Sequence, residues 1–134
     1  MADTKNRLLI IDDELEVCEI LKNLFQNDGY DVAIACDGQS GLSLAIKEIP
    51  DCILLDIRFK KGDDGLTFLR KLRSYRHDDP ELEGRIRRVP VVVLTGSGEG
   101  MRPLFELEGI KLFLQKPYDP SVLKEYIRKV LVSS

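Results

Sequence analysis

Apolar runs and amphipathic stretches alternate along the whole chain. Short runs rich in aliphatic and β-branched residues predict five β-strands, which cover residues 8–12, 31–36, 51–56, 89–95 and 110–116. Apolar residues at helical spacing predict helices between and after them, which cover residues 14–27, 38–49, 65–75 and 119–132. Strands that alternate with helices imply right-handed crossovers and a parallel sheet covered on both faces. We therefore expect an α/β fold of three layers.

Two segments have weaker patterns. Between the fourth and fifth strands only residues 104–108 are expected to be helical, because GSGEG precedes them and Pro103 interrupts the pattern. This helix should be short or mobile. Residues 76–89 are highly charged and contain Pro80 and Gly84, which predicts a long surface connection between the third helix and the fourth strand.

The composition indicates one water-soluble domain. A chain of 134 residues, 43% hydrophobic and 32% charged, suits a single core, and its apolar runs are too short to span a bilayer. The start, MADTKNR, lacks the features of a secretory signal, so a cytoplasmic location is the default. A net charge of -3 and a pI near 5.2 argue against direct binding of nucleic acid.

Neither the cysteines nor the single histidine indicate a metal site. Cys18, Cys36 and Cys52 are odd in number, lack CxxC spacing and have apolar neighbours, so all three are expected to be buried and reduced. His77 lies in a charged stretch without a second ligand at suitable spacing. We expect it on the solvated surface rather than as a ligand or general base.

Polar residues gather at the carboxyl ends of the predicted strands. The first strand leads to Asp12 and Asp13, the third to Asp56, the fourth to Thr95 and the fifth to Lys116. Ligands of open parallel sheets bind at this edge. Taken singly, each residue has an ordinary structural role, since an Asp after a strand is often a helix N-cap. Their joint placement favours a functional site.

The acidic residues at this edge need positive charge. Carboxylates 4 Å apart repel by up to roughly 4 kcal/mol per pair at an effective dielectric near 20. Lys116 supplies one compensating charge, and Mg²⁺, which prefers oxygen ligands and keeps positions open for phosphoryl oxygens, is the expected second. One carboxylate could then attack phosphorus, with Thr95 donating a hydrogen bond. Asp56, whose strand lies between the others, is the central candidate.

From about residue 7 to 132 the chain resembles the receiver domain of two-component response regulators. The motifs IIDDE, ILLD, VVVLTG and FLQKPY carry the resemblance, in this order and at the strand ends. It implies a flavodoxin-like (βα)5 fold with strand order 2-1-3-4-5. It also implies that Asp56 accepts a phosphoryl group from a histidine kinase or phosphotransfer protein. Asp13, Asp56 and the backbone carbonyl of Arg58 would be direct Mg²⁺ ligands, with Asp12 bonding mostly through metal-bound water.

The resemblance implies a switch as well. Thr95 matches the hydroxyl that follows the phosphoryl group, Lys116 matches the lysine that pairs with the phosphate, and the bond to Pro117 looks like the family's cis peptide. Phe113 falls where the family places a rotating aromatic, often Tyr, although a buried core Phe is an equal alternative. Inward movement of Thr95 and Phe113 would repack the face formed by residues 104–108, the last strand and the last helix.

The segment after Asp56 departs from the family pattern. It reads IRFKKGDDG, one residue longer than usual and without the usual Met-Pro. Arg58 and Lys60 or Lys61 place extra positive charge beside the pocket, which motivates a hypothesis of altered dephosphorylation. Gly96, after Thr95, is small enough to leave access to the acceptor.

The leading hypothesis is a stand-alone receiver over residues 1–134, because the chain ends about two residues after the last predicted helix. Its output would be binding of an unspecified downstream protein, and a homodimer is left open. It would not be an enzyme beyond self-phosphorylation from small donors and autodephosphorylation. A phosphohydrolase is disfavoured because Arg58 occupies the place of a required acid. A constitutive binding module with a relic pocket is disfavoured by the intact acids but kept open by the unusual loop.

Overall fold

A computed structural model describes residues 6–56, 65–96 and 102–133, apart from the side chain of residue 133. The strands in these residues are β1 Arg7–Ile11, β2 Asp31–Ala35, β3 Cys52–Asp56, β4 Val91–Thr95 and β5 Leu112–Gln115. The helices are α1 Leu15–Gln26, α2 Gly38–Glu48, α3 Gly65–Arg73, α4 Pro80–Arg87, α5 Arg102–Leu107 and α6 Pro120–Ser133. The strands form one parallel sheet in the order β2-β1-β3-β4-β5. The flavodoxin-like arrangement expected from the sequence is confirmed.

Two apolar layers hold the sheet between helices. On one face, α1 and α6 pack on alternate residues of the strands, and the buried residues of this layer include Cys18, Leu21, Phe25, Leu123 and Ile127. On the other face, α2 to α5 pack on the intervening residues and bury Ala45, Leu66, Phe68, Leu69, Leu72, Ile86 and Phe105. Strands β3 and β4 are buried along their whole length. Covering both faces explains why these strands are continuous apolar runs instead of alternating ones.

The expected surface connection at residues 76–89 is wrong in part, because it contains the helix α4. Asp79 caps this helix: its side chain accepts a hydrogen bond of 2.9 Å from the backbone N–H of Glu81. Pro80 occupies the first turn, where a missing N–H costs nothing. A proline that the sequence pattern assigned to a loop therefore begins a helix, and the buried Ile86 anchors the helix to the core.

Arg73 joins α4 and α5 to α3. Its guanidinium donates hydrogen bonds to four backbone carbonyls in two segments of the chain, with distances of 2.8 to 3.1 Å. The acceptors are the carbonyl oxygens of Arg87, Val89, Glu108 and Gly109. Burial lowers the pKa of this guanidinium. The side chain thus supplies donors to carbonyls at the end of α4 and just after α4 and α5, where the helical hydrogen-bond pattern stops.

Smaller differences concern α5, Cys36 and His77. Helix α5 is short, as expected, but Pro103 lies in its first turn instead of interrupting it. Cys18 and Cys52 are buried, whereas Cys36 is exposed because it follows the edge strand β2 at the rim of the sheet. His77 is half-buried, not fully solvated, and its Nδ1 accepts a hydrogen bond of 2.9 Å from the backbone N–H of Asp79.

The longest helix among the described residues is α6, with 14 residues. None of the helices described combines the length and the apolar character needed to cross a membrane.

Candidate functional site

The carboxyl edge of the sheet collects the buried polar side chains. Asp12, Asp56 and Thr95 are 3%, 2% and 0% exposed and are the buried polar or charged residues within the described part of the chain. Asp56 and Thr95 end β3 and β4, while Asp12 and Lys116 directly follow β1 and β5. The register pairs Asp56 with Leu94 and Thr95 with Gln115, so these strands end at the same level. The structure therefore brings together four of the residues that the sequence singled out.

The pleat decides which of these side chains share a face. Successive side chains of a strand point to opposite faces. Asp12, Asp56 and Lys116 continue the alternate positions of β1, β3 and β5 whose residues pack under α1 and α6. Thr95 continues the positions of β4 that pack under α2 to α5. Asp12, Asp56 and Lys116 are thus assigned to one face of the sheet at this edge, and Thr95 to the other.

Asp56 forms an ion pair with Lys116. The lysine Nζ donates a hydrogen bond to Asp56 Oδ2, and the side chains of Lys116 and Asp56 are 20% and 3% exposed. The backbone N–H of Lys116 also donates to the carbonyl of Thr95 at 2.6 Å. The lysine is therefore fixed both by its backbone and by its ammonium group beside the central carboxylate.

Asp12 lies next to Asp56 and is hard to ionise. Its backbone N–H donates to the carbonyl of Ala35 at 3.1 Å, and its Oδ1 accepts from the backbone N–H of Glu14 at 2.9 Å. The pKa of Asp12 is raised to about 7, first by burial and then by the charge of Asp56 and a side-chain hydrogen bond with it. The hydrogen bond from Glu14 and the charge of Lys116 act in the opposite direction. Two adjacent carboxyl groups thus share a poorly hydrated site.

Asp13 provides the observation that bears on a cation. Its Oδ2 is buried and has no hydrogen-bond partner. One carboxylate oxygen from each of Asp12, Asp13 and Glu14 lies within 4.8 Å of the other two. A buried carboxylate oxygen without a partner is costly unless a cation or donor reaches it. Mg²⁺ prefers oxygen ligands, and carboxylate oxygens are the groups gathered here. The acidic cluster around the unpartnered oxygen of Asp13 therefore fits Mg²⁺.

Phe113 is buried on β5, at 6% exposure, and its ring packs against that of Phe105 in α5 with 5.9 Å between centroids. It belongs to the same apolar layer as the strand positions that lead to Thr95. The peptide bond between Lys116 and Pro117 is cis, as the resemblance implied. Arg58, Lys60 and Lys61 lie outside the described residues, so the predictions about the loop after Asp56 stay predictions.

Two residues of this edge were missed by the sequence reasoning. Glu14 belongs to the acidic cluster, and the third acid of IIDDE was the available signal. Tyr118 is half-buried, and its phenol has a raised pKa, first through burial and then through the charges of Asp12 and Asp56. The sequence feature that could have pointed to Tyr118 is its place in the motif FLQKPY, two positions after Lys116.

The comparison that decides the family is with the response regulator receiver domain, whose family model matches residues 8–128. The chain belongs to this family. It is 34% identical over 130 residues to a probable transcriptional regulator, ycf27, of Guillardia theta, which covers 96% of this chain and 46% of that protein. It is 35% identical over 125 residues to the response regulator PleD of Caulobacter vibrioides, covering 92% of this chain and 26% of that protein. The chain thus spans about half, or less, of the length of these curated relatives.

A solved structure, the chemotaxis response regulator CheY4 of Vibrio cholerae, shares the fold of this receiver domain. It has a TM-score of 0.81 and 23% sequence identity and covers 95% of this chain and 99% of that one. The fold is that of a signalling domain, and family membership supports a phosphoacceptor role in two-component signalling. Receiver domains generally bind Mg²⁺ at an acidic pocket and interact with histidine kinases or phosphotransfer proteins.

Proposed function

We propose that this receiver domain is the phosphoacceptor of a two-component phosphorelay and that Asp56 is the residue that takes the phosphoryl group. The observation that carries the proposal is the ion pair between Asp56 and Lys116 at the carboxyl edge of the sheet. The buried carboxylate of Asp56 has one ammonium group, that of Lys116, and a second carboxyl group, that of Asp12, beside it. Such a site can receive an anionic phosphoryl group only if it gains further positive charge. That requirement favours a site that works with a cation.

Asp12, Asp13 and Asp56 would hold Mg²⁺, joined by the backbone carbonyl of Arg58. The buried oxygen of Asp13 without a partner supports this assignment. When bound, the ion supplies electrostatic stabilisation of the phosphoryl oxygens and of the clustered carboxylates. Asp12, whose raised pKa reflects burial and the charge of Asp56, would release its proton as the ion binds.

The transfer itself needs one oxygen of Asp56. This oxygen forms a bond to phosphorus as the bond between phosphorus and the donor histidine nitrogen breaks. The electron pair of the broken bond stays with the imidazole, which takes a proton from solvent, and Asp56 becomes an acyl phosphate. Lys116, already beside Asp56, would move its ammonium to the transferred group and compensate the charge there.

Thr95 and Phe113 would convert the modification into a change of surface. Thr95 would donate its hydroxyl hydrogen bond to the phosphoryl group, which would favour the conformation with Phe113 buried beneath α5 over one with the ring turned outward. The face that changes is formed by α5, β5 and α6. The donor would be a sensor histidine kinase or a phosphotransfer protein, and a downstream protein would bind the changed face, with a single receiver domain over residues 1–134 as the unit.

The test is phosphorylation by acetyl phosphate with Mg²⁺, followed by intact mass measurement. The expected result is one phosphoryl-sized increment that disappears in Asp56→Asn and after chelation of the ion. Asp31→Asn is the matched control, because Asp31 is an exposed acid at the opposite edge of the sheet. No increment in the wild type would favour the constitutive binding module, and phosphate released over many turnovers would favour the phosphohydrolase.

A further inference from the structure

Among the described residues, the contacts that hold helix α5 to the rest of the domain include one buried side chain and bonds made after its carboxyl end. It has six residues, and Phe105 is the buried one among them, packed against the ring of Phe113. After its carboxyl end, the backbone carbonyl of Glu108 accepts a hydrogen bond of 2.9 Å from Arg73, and its side chain pairs with Arg70 at 3.4 Å. Because the bonds to Glu108 hold the carboxyl end of α5, a rearrangement of this helix that preserves them must move its amino end.

That amino end carries Arg102. The Cζ atom of its guanidinium lies 5.6 Å from the centroid of the Phe113 ring, a distance at which a cation is attracted to the face of an aromatic ring. The same guanidinium pairs with Glu106 one turn later, with 3.2 Å from Nε to Oε2. The ring of Phe113 therefore lies close both to the buried Phe105 and to an arginine that pairs with Glu106.

We propose that Arg102 is a positioning residue that holds the ring of Phe113 in its buried position and thereby sets how readily the site accepts a phosphoryl group. The inference rests on the proposed function, in which the phosphoryl group favours the conformation with Phe113 buried. A contact that stabilises the same conformation as a ligand raises the affinity for that ligand. Phe113 lacks the hydroxyl of tyrosine, and the contact with Arg102 supplies a polar partner for the ring that needs no hydroxyl.

The size of the effect follows from the exposure of the pair. Arg102 is 45% exposed, so its contact with the ring is worth about a two- to fivefold change in an equilibrium constant. Arg102→Gln removes the charge and the planar guanidinium, whereas Arg102→Lys keeps a charge that does not stack in the same way. Glu106→Gln keeps Arg102 but removes the charge of one side chain that pairs with it. We expect a graded loss in the order Arg102→Gln, Arg102→Lys, Glu106→Gln.

The test combines two measurements on the intact chain. The first is the nuclear Overhauser effect between the Phe113 and Phe105 rings, with ring-labelled phenylalanine and without any phosphoryl mimic. The second is titration with beryllofluoride and Mg²⁺ to half-saturation. Arg102→Gln should weaken the ring-to-ring effect and raise the half-saturating concentration two- to fivefold. Lys111→Gln, which removes an exposed positive charge just before β5, should change neither.

The two measurements separate failure of this inference from failure of the proposed function. Unchanged ring contacts in Arg102→Gln would overturn the positioning role, and so would an equal shift of the titration in Lys111→Gln, which would indicate general electrostatics. A wild-type chain that does not bind beryllofluoride would overturn the proposed function, while the ring measurement would still decide whether Arg102 holds Phe113.

Discussion

Lys116 and Asp56 are 60 positions apart in the chain, and the lysine ammonium donates a hydrogen bond to the aspartate carboxylate at the end of the sheet. The pair forms because β3 and β5 flank β4 and all three strands run in the same direction. The ammonium therefore pairs with a carboxylate that we propose as a ligand of Mg²⁺. Lys116 and the ion should thus compete for the same carboxylate, although both favour the phosphorylated state.

Replacing Lys116 by methionine should therefore have opposite effects on two properties. Mg²⁺ should bind several-fold more tightly, because a nearby positive charge is removed from a poorly hydrated site. Phosphorylation by acetyl phosphate should be at least about tenfold slower, because one fixed charge beside the transferring group is lost. Isothermal titration with Mg²⁺ and mass measurement of the phosphorylated fraction test the two parts. Weaker Mg²⁺ binding in Lys116→Met would contradict the competition.

A second prediction concerns Asp12 and pH. Its pKa is raised from the model-compound value of 3.8 to about 7, mainly by burial and then by the charge of Asp56. Its contribution to the free energy of unfolding is therefore complete below pH 3.8 and is lost as the pH rises through about 7. In the presence of a chelator, wild type should lose stability relative to Asp12→Asn between pH 5 and 8.

The measurement is the midpoint of urea unfolding for both proteins across this pH range. Adding Mg²⁺ should raise the urea midpoint of wild type more at pH 8 than at pH 6, because at the lower pH the ion must displace a proton from Asp12. Asp12→Asn has no proton to release there and should show a flatter dependence. Parallel curves for the two proteins would mean that Asp12 ionises as readily in the folded chain as in the unfolded one.

The sequence predicted the sheet and its acidic edge because both depend on strong local signals. Buried parallel strands are apolar runs, and the polar residue that ends each run marks where the strand leaves the core. Asp12, Asp56, Thr95 and Lys116 were found in this way. The order of the strands came from the family resemblance, since nothing in the runs themselves says which strand is the neighbour of which.

The sequence pattern did not predict the elements that are held by tertiary contacts rather than by a periodic apolar face. Helix α4 has one buried residue, Ile86, among its eight residues, so it lacks the apolar stripe that identifies a helix. The hydrogen bonds of Arg73 to distant carbonyls and the position of Arg102 over Phe113 join segments far apart in sequence. A charged residue in a loop or helix gives no local sign of such partners.

The N-cap of α4 gives a third prediction. Asp79→Ala should lower the free energy of unfolding by about 1 kcal/mol, because the first-turn N–H of Glu81 loses its acceptor. Asp78→Ala is the matched control, an exposed acid one position earlier, and should change stability by less than about 0.5 kcal/mol. Equal effects of the two substitutions in urea unfolding would indicate that residues 76–89 do not form a capped helix.

The last prediction concerns Arg73. Arg73→Met keeps much of the apolar stem but leaves the carbonyls of Arg87, Val89, Glu108 and Gly109 without this donor. We expect a loss of about 3 to 5 kcal/mol in the free energy of unfolding, as for removal of a charged group from several part-buried hydrogen bonds.

Two substitutions in the same helix sharpen this test. Lys71→Met removes an exposed charge and should change stability by less than about 0.5 kcal/mol. Arg73→Lys keeps the charge but cannot supply donors in a planar fork to four carbonyls in two segments at once, so it should recover only part of the loss. The hydrogen exchange of amides in α4 and after α5 should rise together in Arg73→Met, because one side chain holds both ends. Faster exchange in α4 alone would mean that α5 is anchored independently of Arg73.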